Sequence, residues 1–66
     1  MNKGVEALIK ARKNLNLTQE DLADKVGIKR STIASIEVGI NTPSVSTAKL
    51  LGNELGFDWT LFYEEV

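Results

Sequence analysis

The stretch QEDLADKVGIKRSTIASI, residues 19–36, decides the fold. Leu22, Ala23 and Val26 form one apolar edge at helical spacing. Gly27 stops that helix, because glycine enters the left-handed backbone region without a steric penalty. Thr18 reads as its N-cap, and Asp21 three residues on completes a short form of the capping box at the positive end of the helix dipole. A helix of two turns does not hold without packing. Ile28 follows, and the next helix starts near Lys29 or Arg30. Ile33 and Ile36 make its apolar side, with Glu37 one turn beyond Ile33, and Gly39 ends it. Ala23 is small where the two helices approach, while Val26, Ile28, Ile33 and Ile36 fill the angle between them. Two short helices at such an angle, joined by a turn of three to four residues, make a helix-turn-helix unit over about residues 18–38.

Upstream, Val5, Leu8 and Ile9 form a stripe that predicts a helix of about three turns, frayed over residues 1–4 and ending near residues 14–16. Arg12 falls on this stripe instead of opposite it. Downstream, the turn Ile40-Asn41-Thr42-Pro43 leads to Ser44, which caps a helix through Val45, Ala48, Leu51 and Leu55, closed by Gly56. Asp58 caps a last short helix, with Phe57 and Phe62 placed to meet as a hydrophobic staple. The expectation is a single all-α domain over residues 1–66, a compact bundle of five short helices.

The chain has no cysteine and no histidine, which removes disulfides, thiolate or imidazole catalysis and the usual zinc ligand sets. It shows no phosphate-binding glycine loop and no carboxylate pair in an apolar setting; Glu20-Asp21 and Glu64-Glu65 read as solvated. The expectation is a non-enzyme without cofactor or metal, in a reducing cytosol, with neither signal peptide nor membrane span. A core this small, worth about 3–5 kcal/mol, leaves room for a partner subunit to add stability.

Net charge is −1, which by itself disfavours a polyanionic partner. Its distribution says otherwise. All eight basic residues precede residue 50 beside five acids, leaving +3, whereas the last sixteen residues hold four acids and no base. A local positive field suffices for nucleic-acid binding. Lys29 and Arg30 stand at the leading end of the third helix, and Ser31, Ala34 and Ser35 are small enough to let it sit deep in a major groove about 12 Å wide. Arginine can donate two hydrogen bonds to guanine, and serine is a less selective donor and acceptor.

Leu17-Thr18-Gln19-Glu20-Asp21-Leu22-Ala23, Val26-Gly27-Ile28, Ser31-Thr32-Ile33, Ile36-Glu37, Gly39 and Pro43-Ser44 together resemble the Cro/repressor-type family, the lambda-repressor-like or XRE-type helix-turn-helix proteins of phages and bacteria. The likeness runs from about Val5 to Tyr63. It implies a transcriptional regulator, a repressor of double-stranded DNA operators, with residues 29–38 as recognition helix. Arg30, Ser31, Ala34 and Ser35 then take base-reading positions. Gln19, Thr18, Lys29, Thr32, Asn41 and Thr42 take positions at the DNA backbone, which fix register without reading sequence. It also implies a structural ion pair between Arg12 and Glu37, each the charged intruder on its helix's core face. Three departures stand out: Ile40 where a base is frequent, Lys29 in place of a Ser or Thr cap, and Leu61 where polar residues are frequent.

Trp59, Phe62 and Tyr63 are spaced to face the core, leaving Leu61 outside. With Trp59 and Val66 it supplies an apolar surface for a two-fold homodimer, whose recognition helices would read a pseudo-palindromic operator about 34 Å apart. The competing reading is a protein-interaction or antitoxin-like module that uses the same fold without reading DNA.

Overall fold

The computed structural model describes residues 2–64. Four α-helices follow one another: α1 (Lys3–Asn14), α2 (Gln19–Val26), α3 (Arg30–Glu37) and α4 (Val45–Leu55). The fifth expected helix is a 3₁₀ helix, Trp59–Tyr63. No strand occurs among the described residues, and no helix there is long and apolar enough to cross a membrane.

The punctuation read from the sequence sets most boundaries. At α2 the Thr18 hydroxyl accepts from the Asp21 amide at 3.0 Å, and the Asp21 carboxylate accepts from the Thr18 amide at 3.0 Å. Gly27 closes the helix at φ +73°. Ser44 caps α4 by accepting from the Thr47 amide.

The start of α1 departs from expectation. Residues 3 and 4 are helical, not frayed, because Asn2 caps them: its Oδ1 accepts from the amides of Gly4 and Val5 at 2.7 and 3.1 Å. The Asn2 Nδ2 donates to the carbonyl of Phe62 at 2.9 Å, which ties the helix start to the 3₁₀ helix. Gly4 is buried in that contact, since a Cβ on it would lie 2.5 Å from the Phe62 nitrogen.

The core collects Val5 and Leu8 of α1, Leu22 and Ala23 of α2, Ile33 and Ile36 of α3, Ala48 and Leu51 of α4, and Phe62. Leu8, Leu22, Ile33, Ile36 and Leu51 are fully enclosed, each worth about 1.5–3 kcal/mol of burial. Phe57 and Phe62 meet edge to face with centroids 5.7 Å apart, the staple expected around Asp58.

Two expectations for the C-terminal segment are corrected. Tyr63 is 42% exposed instead of packed inside, and Leu61 is half-buried instead of outside. The cause is the 3₁₀ period of three residues per turn, which puts Phe62 on the buried side and leaves Tyr63 at the surface, its ring edge to face with that of Trp59 at 6.2 Å. The Tyr63 hydroxyl donates to the Pro43 carbonyl at 2.7 Å. Val45, the first residue of α4, is exposed. Val66, expected at a subunit contact, lies outside the described residues.

Candidate nucleic-acid interface

α3 is held to the body through Ile33 and Ile36, while Arg30 and Ser31 at its leading end are exposed. Lys29 is its N-cap residue and makes no side-chain capping bond. The side chains of Lys29, Arg30 and Ser31 are therefore exposed together where the helix begins. Thr32, Ala34 and Ser35 are half-buried along its length. Two adjacent cations, followed by small side chains, leave this end of α3 positive and sterically open.

The neighbouring loop is fixed to α3. Gly39 takes φ +81°, and the Ser35 carbonyl accepts from the amides of both Ile40 and Asn41, at 3.0 and 3.3 Å. Asn41 and Thr42 are exposed beyond that turn. At the start of α2 Thr18 is exposed as well, with its hydroxyl oxygen already accepting from Asp21. The Asp21 carboxyl is held below the usual carboxylate range by the Thr18 backbone amide and then by the Thr18 hydroxyl. An ionised Asp21 beside the α2 N-terminus makes that end less attractive to a second anion than the start of α3.

Behind α3 lies a polar knot. Arg12 Nε donates to Glu37 Oε2 at 2.8 Å, and Nη2 donates to Oε1 at 3.1 Å. Only 12% of the Arg12 side chain and 6% of the Glu37 side chain is accessible. Arg12 Nη1 also donates to the Leu17 carbonyl at 2.8 Å, and Gln19 Nε2 donates to Glu37 Oε1 at 3.1 Å. This one cluster joins α1, the α1–α2 loop, α2 and α3, and it fixes the pose of α3 against the bundle.

The sequence reading placed Gln19 at the DNA backbone. The structure commits one of its amide hydrogens to Glu37, so any phosphate bond must come from what remains of that side chain. No local signal pointed to this bond, because its partners are 18 residues apart. The base-reading and backbone candidates all lie on α3 with its N-cap, on the loop after it, or at the N-cap and first residue of α2. Leu61 and Trp59 lie on the 3₁₀ helix, away from this sequence neighbourhood, with the Lys49 ammonium 5.3 Å from the centre of the Trp59 ring.

A family model described as helix-turn-helix matches residues 8–62. The chain is 44% identical over 59 residues to YqaF of Bacillus subtilis, an HTH-type transcriptional regulator, across 89% of this chain and 78% of that protein. It is 47% identical over 45 residues to an HTH-type transcriptional regulator of Methanothermobacter thermautotrophicus, across 68% of this chain and 65% of that one. A third HTH-type regulator, of Methanocaldococcus jannaschii, is 58% identical over 33 residues, half of each chain.

Proposed function

This chain belongs to the XRE-type helix-turn-helix family of transcriptional regulators, and from that premise we propose that it reads a specific double-stranded DNA operator with α3 in the major groove and represses transcription from it. The observation that carries this reading is the start of α3, where Lys29, Arg30 and Ser31 are exposed together on a helix anchored from behind. In this reading Arg30 pairs with a guanine edge, and Ser31, Ala34 and Ser35 contact neighbouring bases. Thr18, Gln19, Lys29, Thr32, Asn41 and Thr42 touch the sugar-phosphate backbone on either side. The working unit is a cytoplasmic homodimer on a pseudo-palindromic site, and no cofactor takes part.

Selection of bound duplexes from a random pool tests this reading. A symmetric consensus is expected, with half-sites about one helical turn apart. Arg30→Ala should weaken the selected site by about 1–3 kcal/mol and relax one base position per half-site. Affinity should fall with log salt at a slope of about −0.9 per phosphate neutralised. Failure to enrich any duplex, or an affinity indifferent to salt, refutes it in favour of a protein-interaction module.

A further inference from the structure

The backbone between α3 and α4 is anchored at both ends and nearly bare between them. On the α3 side, the Gly39 amide donates to the Ile36 carbonyl at 3.1 Å, and the amides of Ile40 and Asn41 donate to Ser35. On the α4 side, the Ser44 hydroxyl and carbonyl accept from the amides of Thr47 and Ala48, at 3.3 and 2.8 Å. Thr42 and Pro43 lie between. Among the described residues this pair makes a single hydrogen bond, accepted by the Pro43 carbonyl from the Tyr63 hydroxyl at 2.7 Å. Proline has a fixed φ and no amide hydrogen, and it keeps the residue before it in extended backbone. The pose of Thr42, and of Asn41 before it, therefore follows the place where Pro43 is held.

Tyr63 is itself fixed from behind. Its ring meets Trp59 edge to face with centroids 6.2 Å apart. Trp59 lies against α4, where a Cβ on Gly52 would come within 2.8 Å of the Trp59 Cβ. The hydroxyl thus links α4 and the 3₁₀ helix to a loop 20 residues earlier in the chain.

We propose that Tyr63 is a positioning residue for DNA binding, whose hydroxyl holds residues 41–43 in the pose from which Asn41 and Thr42 meet the sugar-phosphate backbone. The inference rests on the DNA reading above, in which Tyr63 itself touches no nucleic acid. A loop that visits its binding pose only part of the time weakens apparent affinity by that fraction. A hydrogen bond of ordinary net strength, made in that pose alone, shifts the population about three- to tenfold. Because backbone contacts read no sequence, the loss falls on every duplex alike.

Tyr63→Phe tests this, since it keeps the ring against Trp59 and removes only the hydroxyl. The probe is the duplex that the wild type enriches from a random pool, at a temperature where circular dichroism shows each variant fully folded. Affinity is expected to fall about three- to tenfold with base preferences unchanged, in contrast to Arg30→Ala. Ile9→Ala removes a side chain packed against the core on α1 and lowers stability, but under the same conditions it should bind like the wild type. Without DNA, hydrogen exchange at the Ile40 and Asn41 amides should quicken by a similar factor in Tyr63→Phe and not in Ile9→Ala, because loop amides exchange by local opening. Binding by Tyr63→Phe within about twofold of wild type, a change in its base preferences, or an equal loss in Ile9→Ala overturns the proposal. Quickened exchange in a chain that enriches no duplex refutes the DNA reading, and the use assigned to the loop with it. Unchanged exchange in a chain that binds its duplex refutes the role of Tyr63 alone.

Discussion

Replacing Glu37 with methionine strands the Arg12 guanidinium in a space where only 12% of its side chain meets solvent. Two of its hydrogen bonds, at 2.8 and 3.1 Å, vanish together, and the Gln19 amide loses its acceptor. Breaking one partner out of a buried pair costs about 3–5 kcal/mol. That equals the whole margin of about 3–5 kcal/mol that a core of this size supplies. Glu37→Met should therefore be about half unfolded near room temperature. The double variant Arg12→Met/Glu37→Met removes both charges, and replacing a buried pair with apolar side chains is neutral or stabilising by about 1–4 kcal/mol. Against that stands the Leu17 carbonyl, which loses the Arg12 Nη1 donor, a deficit of about 1 kcal/mol. The double variant should lie between about 1 kcal/mol less and about 3 kcal/mol more stable than wild type. Thermal and urea unfolding followed by far-ultraviolet circular dichroism separate the cases, because 1 kcal/mol moves Tm by roughly 4–8 °C in a domain this small. A Glu37→Met variant melting within about 5 °C of wild type, or a double variant as unstable as the two singles added together, would refute the reasoning.

Two further predictions concern the ends of helices. Thr18→Ala should cost about 1 kcal/mol in urea unfolding by removing the cap of α2. It should flatten the acid limb of the stability curve only slightly, because the residue-18 backbone amide, the larger cause of the lowered Asp21 pKa, remains while the hydroxyl is lost. The folded-state pKa of Asp21 is depressed by the Thr18 amide first and the hydroxyl second, so its contribution is full above the ordinary carboxylate range and is lost as pH falls below about 4; a variant whose acid limb disappears altogether would contradict this. Gly4→Ala should destabilise by about 1–3 kcal/mol despite alanine's better helix propensity, because the added methyl meets the backbone of Phe62. A melting temperature equal to or above wild type would show that the 3₁₀ helix yields without cost.

What could be read in advance was what neighbouring residues settle. The caps Thr18, Ser44 and Asp58 act within three residues, and the left-handed Gly27, Gly39 and Gly56 end their helices by a property of the residue itself. The helix-turn-helix core followed from the 3.6-residue period. Gly4 looked like a source of fraying because its reason for being glycine lies 58 residues along the chain, in the backbone of Phe62. Tyr63 was placed inside by assuming α-helical spacing from Trp59, and a 3₁₀ period puts it outside. At the candidate interface, exposure of Lys29 and Arg30 follows from the apolar positions of α3 alone. The Gln19–Glu37 bond does not, since it depends on the angle between α2 and α3.

The bond from Asn2 to the Phe62 carbonyl, with Gly4 pressed against the same strand of backbone, has a bearing on how the chain is made. A ribosome delivers residues in order, and the helix-turn-helix unit is complete some 25 residues before Phe62 is added. Until then α1 lacks the lid that fixes its first turn, and Val5 and Leu8 cover Leu22, Ile33 and Ile36 without a clamp from above. The closing contact joins residues 60 apart, so its loop-closure entropy is met late. The packing of α2 and α3 can thus form before the Asn2–Phe62 contact closes, but its platform becomes rigid only once that contact is made.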